Sequence, residues 1–84
     1  MMQYYFTFQS LTQAQTALHH IGRRGISAAL RRTPTDLSAR GCGYSVSVPE
    51  NTVRAAAATL NGMAIAYRGL YRTAADGSWE EVVP

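Results

Sequence analysis

Hydrophobic periodicity along this chain switches from two residues to 3.6 and back, twice, and the order of those switches limits the folds open to it. Tyr4, Phe6 and Phe8 alternate within an aromatic and β-branched run, the pattern of a strand with one face buried. Ser10 follows, with Gln13 at the spacing of a capping box, in which each side chain serves the other residue's free backbone N–H. Leu11, Ala14, Ala17, Leu18 and Ile21 then share one helical stripe, and Gly25 offers a left-handed stop. The pattern predicts a helix from Leu11 to Arg24.

A second strand is expected where Ile26, Ala28 and Leu30 alternate with Ser27, Ala29 and Arg31, and Pro34 blocks its continuation. A third follows from Tyr44, Val46 and Val48 alternating with Ser45 and Ser47. Pro49-Glu50 suits the opening turn of a second helix, because proline has no N–H to lose there and the carboxylate complements the helix dipole. Val53, Ala56, Ala57 and Leu60 form the apolar face of that helix, which Asn61-Gly62 ends. A fourth strand is predicted over Ala64 to Tyr71. Asp76-Gly77 then marks a tight hairpin turn, from which Trp79 to Val83 returns as a short edge strand.

The order β-α-β-β-α-β with a C-terminal hairpin predicts an α+β, ferredoxin-like two-layer sandwich. Both helices would cover one face of an antiparallel sheet. Residues 1–84 read as a single domain without linker or internal repeat. A chain this short buries roughly 60% of the surface its unfolded form exposes, so its core is thin. Tyr4 or Phe6, with Leu18, Ile21, Val46, Val53 and Leu60, should fill it.

Charge and composition exclude several roles. The net charge is +3, and every basic residue is an arginine. That charge is too small to demand a nucleic-acid partner, and the third strand carries nothing like the aromatic signature of an RNA-binding sheet. The N-terminus lacks the pattern of a signal peptide and no run approaches ~20 apolar residues, so the expectation is a cytoplasmic protein with no membrane partner. A single cysteine forms no internal disulfide, and no Cys/His spacing fits a zinc site. His19 and His20 are adjacent, which puts them about 100° apart on a helix and unable to chelate together. No metal is expected.

That single cysteine, Cys42, lies between Gly41 and Gly43 in a segment that reads as a loop joining strands two and three. Glycine neighbours leave a sulfur accessible. Arg40 stands two residues away, and a nearby cation favours the reactive thiolate. The backbone amides of Gly41, Cys42 and Gly43 can form an anion-binding nest. Arg31 and Arg32 close the preceding strand, where neighbours point to opposite sides, so one of them faces the loop. Ser38 either hydrogen-bonds the thiolate or caps a turn in its own loop. The bland alternative is an incidental loop thiol or a small buried hydrophobe.

These residues resemble the selenium/sulfur (Se/S) carrier protein-like family. The shared features are an aromatic N-terminal strand ending at Ser10, the Gly25-Ile26 strand start, Thr33-Pro34, Ser38 and Cys42-Gly43. The later stretch Ala66-Tyr67-Arg68-Gly69-Leu70-Tyr71 resembles the family's closing strand. Two departures stand out. Thr35 occupies the place of the family's arginine, and the spacing from Ser38 to Cys42 is one residue longer. The resemblance implies a carrier that holds a persulfide or selenopersulfide on Cys42, with no other cofactor.

Such a protein is a co-substrate rather than a stand-alone enzyme. A protein donor loads it and an acceptor protein unloads it. The alternative is a small ferredoxin-like regulatory or protein-binding module, dimerising through its sheet edges or helices, with an incidental cysteine. Two measurements separate these readings. Thiol labelling of the native protein should titrate below the ordinary thiol value of about 8.5. Cys42→Ser should change stability by no more than about 0.5 kcal/mol, as for a surface residue. Labelling only after unfolding, or a loss of several kcal/mol, would make the cysteine a packing residue.

Overall fold

The computed structural model of the chain describes residues 2–33 and 43–82. β1 (Gln3–Phe8) leads into α1 (Leu11–Arg23), then β2 (Ala29–Arg32) and β3 (Tyr44–Pro49). A 3-10 turn (Glu50–Thr52) opens directly into α2 (Val53–Gly62), followed by β4 (Gly69–Thr73) and β5 (Trp79–Glu81). The strands form one sheet in the order β2-β3-β1-β4-β5, and every neighbouring pair is antiparallel. The chain thus crosses over twice: β3 lies between β1 and β2, and β1 lies between β3 and β4.

β1 shows why the layers form. Its alternation puts Tyr4, Phe6 and Phe8 on one face, and the register sets Phe6 between Val46 of β3 and Leu70 of β4. These residues form one buried cluster with Ala14, Ala17 and Ile21 of α1 and Ala56, Ala57 and Leu60 of α2. Both helices therefore cover that face. Tyr67 completes it, its ring edge-on to Phe6 at 4.9 Å. Leu18 and Val53, expected inside, sit half-buried at the margin.

The element ends follow local chemistry. Ser10 is extended, and its Oγ accepts the Gln13 N–H at 3.2 Å to cap α1. Gly25 takes a φ of +77° just beyond the helix. The second helix does not begin as α. The Val53 N–H reaches back to Glu50 O, a 3-10 closure, and the Thr52 hydroxyl donates to Pro49 O at 3.0 Å.

Two strands differ from the pattern read in the sequence. β2 begins at Ala29 rather than Ile26, because the register would pair Ser27 with Pro49, which has no N–H to give. β4 begins at Gly69 rather than Ala64. The partner of Ala66 in that register would be Ser10, already used as the cap of α1. Ala64 instead takes a φ of +57° and Ile65 donates to Leu60 O at 2.9 Å, which closes α2. The ladder to β1 starts with the Arg68 N–H on Thr7 O at 2.8 Å.

The C-terminal hairpin turns at Asp76-Gly77 as its dipeptide suggests, with Gly77 at φ +88°. The Ser78 hydroxyl and N–H both donate to Asp76 Oδ1, which holds that carboxyl below its usual range. Arg72 joins three strands at this end. It donates to the Tyr4 hydroxyl and pairs with Glu80, and both hold its guanidinium protonated. Among the described residues, no helix is long and apolar enough to cross a membrane.

The other face of the sheet carries Tyr5, Thr7, Ser45, Ser47, Tyr71 and Trp79. Tyr5 and Trp79 meet edge-to-face at 5.1 Å. The Tyr71 ring lies across Gly69, where a Cβ would stand 2.6 Å from Tyr71 Cε1. Gly69→Ala should therefore lower stability by about 1–3 kcal/mol, the usual cost of overpacking. In a Tyr71→Ala background the same change should cost much less. Chemical denaturation of the four proteins checks the pair, and equal costs in both backgrounds would show that the ring does not require the glycine.

Candidate functional site

The hairpin of β2 and β3 positions the candidate site. Its register pairs Ala29 with Ser47, Leu30 with Val46, Arg31 with Ser45 and Arg32 with Tyr44. One further bond, from the Thr33 N–H to Gly43 O at 3.1 Å, closes the hairpin at its open end. Cys42 is covalently joined to Gly43, so its attachment point belongs to this closed end. Cys42 itself, with Ser38, Arg40 and Gly41, lies outside the described residues.

Gly43 is half-buried and pairs with Thr33. Its φ is not in the left-handed region, and a Cβ there would meet nothing within 4 Å. Neither backbone strain nor local crowding requires glycine at this position. What it contributes is bare backbone beside the cysteine.

Arg31 and Arg32 separate as strand alternation dictates. Arg32 shares the helix-side face with Tyr44, and its guanidinium carbon stands 5.6 Å from the centroid of that ring. Arg31 stands on the opposite face beside Ser45. It is exposed, with no ion pair among the described residues.

By alternation Ser45 and Ser47 form the polar side of β3, the side that usually meets water. Both are buried, as is Thr7 beside them on β1. Thr33, read only as part of the Thr-Pro segment, is buried too. The Thr7 hydroxyl donates to Gly69 O at 3.2 Å and the Ser47 hydroxyl reaches Ala29 O at 3.5 Å. Among the described residues, the Ser45 and Thr33 hydroxyls have no partner. The available signal was the residue type: Thr7, Thr33, Ser45 and Ser47 are all small, and the threonines are β-branched strand formers.

Elsewhere, His19 and His20 touch edge-to-face at 5.3 Å near the end of α1. His20, Arg23 and Arg24 line a shallow cavity of about 330 Å³ with Thr59 and Met63. Among the described residues, no three His, Cys, Asp or Glu side chains come together as a metal site.

The family model described as "Putative Se/S carrier protein-like" matches residues 3–72, and the chain belongs to that family. No curated protein matches, and no solved structure does. The matched span runs from β1 into β4 and includes the whole β2–β3 hairpin with Cys42.

The Arg32–Tyr44 contact yields a direct test. A cycle of Arg32→Ala, Tyr44→Leu and the double variant should give a coupling of about 0.5–1 kcal/mol, the range of an exposed cation–π pair. Strictly additive losses would mean that the guanidinium is not held by the ring.

Proposed function

We propose that this member of the Se/S carrier-like family holds a single sulfur or selenium atom on Cys42 and passes it to an acceptor protein. Family membership over residues 3–72, a span that contains the chain's one cysteine, is the observation that carries the reading. The hairpin geometry supports it. Closure at Thr33 and Gly43 gives the cysteine a rigid mount at one end of the sheet, a common place for reactive groups. The bare backbone at Gly43 suits the approach of another protein's sulfur. The strand order β2-β3-β1-β4 with two interleaved crossovers supports a ferredoxin-like sandwich, extended at one edge by β5.

The chemistry is two successive exchanges. The Cys42 thiolate attacks the terminal sulfur of a persulfide on a donor protein. The bond from that atom to the donor breaks, and the donor leaves as its thiolate. Cys42 now carries the persulfide, whose outer atom keeps its proton; an acceptor thiolate repeats the attack on that atom and releases Cys42 as its thiolate. A selenium atom follows the same course. Each step conserves electrons, so no outside oxidant or reductant enters. The protein is a co-substrate, with a protein donor and a protein acceptor as its partners. Thiolate at Cys42 is favoured by cations; Arg40 is two residues away in sequence, and Arg31 is exposed with no ion pair among the described residues.

Intact-mass measurement after exposure to a small-molecule persulfide donor tests the reading. The native protein should gain one sulfur and lose it to an added acceptor thiol, and Cys42→Ser should gain none. Alkylation of Cys42 should slow in Arg40→Ala, Arg31→Ala or both, more so at low salt, where an exposed charge is least screened. An adduct that survives in Cys42→Ser, or alkylation unchanged by both arginine variants and by Arg32→Ala, would favour the binding-module reading instead.

A further inference from the structure

We propose that the groove between α1 and α2 binds an acidic amphipathic helix of a partner protein. Two adjoining hollows of about 330 and 320 Å³ share Arg24 and Thr59, and so form one groove. His20, Arg23 and Arg24 make its α1 wall. Ala55, Ala58, Thr59 and Met63 make its α2 side, at the spacing of a single helical stripe.

The α2 side is bare for a surface helix. α2 already buries Ala56, Ala57 and Leu60 in the core. A helix with one buried face ordinarily turns charged or polar side chains outward. α2 turns out Ala55 and Ala58, and Met63, just beyond its end, is 50% exposed. The Thr59 hydroxyl offers the groove no hydrogen, since it donates to Ala55 O at 2.9 Å within its own helix. Alanine lets a second helix pack close, toward the short end of the usual spacing of roughly 8–10 Å between axes. A methionine side chain adapts to whatever it meets.

Charge selects the partner. Neither helix contains a carboxylate. His20 and Arg23 stand in the last turn of α1, where the helix dipole favours a cation. Arg54 has no such reason, because it lies in the first turn of α2, where the dipole opposes it. It is exposed, four residues before Ala58 on the same face, and has no ion pair among the described residues. Cations therefore border the apolar stripe on both sides. An acidic helix laid along it meets alanine with its apolar face and arginine with both flanks, as flanking charges do in paired helices. A nucleic acid finds no Phe, Tyr or Trp ring among these residues on which to stack its bases. A flat bilayer meets apolar groups set in a hollow rather than projecting from the surface.

The proposal does not rest on what Cys42 carries. Its test uses the full-length protein and a synthetic peptide of about 20 residues, long enough to hold a helix in water. One face of the peptide is alanine and leucine, glutamate flanks that face, and glutamine fills the rest. A second peptide has lysine in place of each glutamate. Both are titrated at constant ionic strength, and backbone amides are followed by NMR. The glutamate peptide should bind saturably, with shifts centred on His20, Arg24, Ala55 and Ala58, and the lysine peptide should not bind. Arg24→Gln and Arg54→Gln should each weaken binding about two- to fivefold, the worth of an exposed ion pair, and should reduce its salt dependence. Ala58→Gln should weaken it more than either by filling the groove, and its Tm should stay near that of the native protein because Ala58 is exposed. Failure of the glutamate peptide to saturate, equal affinity for the two peptides, or affinity unchanged in Ala58→Gln or in both arginine variants would overturn the proposal. Tighter binding of a short RNA duplex or of phosphatidylserine vesicles at the same amides would also overturn it, and would assign the groove to that polyanion. A negative result here leaves transfer at Cys42 untouched, and failure to load Cys42 leaves this groove standing.

Discussion

β1 is hydrogen-bonded along both edges, and the rest of the molecule is arranged around that fact. Its partners are β3 and β4, which join it from the middle and the far end of the chain. Phe6 sits at the crossing, fully buried between Val46 and Leu70 with Tyr67 edge-on above it. The two helices cover the same apolar row because each is the crossover that returns the chain to the sheet. Such pairings close long stretches of chain before any contact rewards them. The thin core expected of a short chain is thus concentrated in one row of aromatic and branched side chains.

The two faces of the sheet solve burial differently. One is apolar and covered by helices. The other is polar by composition and still substantially buried, with Thr7, Ser45, Ser47 and Tyr71 all shielded. Thr7 and Ser47 meet this by donating to backbone carbonyls. Ser45 and Thr33 have no such partner among the described residues, and they lie on the hairpin that leads to Cys42.

Much of this architecture is legible in the residues themselves. Period-two alternation identifies β1 and β3, Ser10 marks the start of α1, and Asp76-Gly77 marks the hairpin. What escapes is whatever depends on register. The start of β4 cannot be read locally, since Ala64 to Tyr67 look like a strand until Ser10 is seen to be engaged as a cap. Ala64 takes a left-handed conformation that its side chain gives no reason to expect. The candidate site divides in the same way. Cys42 and its glycines stand out as a motif, and the separation of Arg31 from Arg32 follows from alternation. The buried hydroxyls do not, because serine on alternate positions ordinarily signals water.

β2 has four residues, three of them exposed, and only β3 to hold it. Segments with few buried apolar contacts open at a fraction of the free energy that global unfolding needs. β1, paired on both sides, stays closed while its distant neighbour breathes. Amide hydrogens of Arg31 and Thr33, which face β3, then exchange with solvent through local events that leave Phe6 and the helices in place. β2 is thus the strand of its hairpin that opens first, while β3, paired on both sides, stays in place. The β2 edge gives up a few ladder bonds at little cost, while the remainder of the fold stays an unyielding frame.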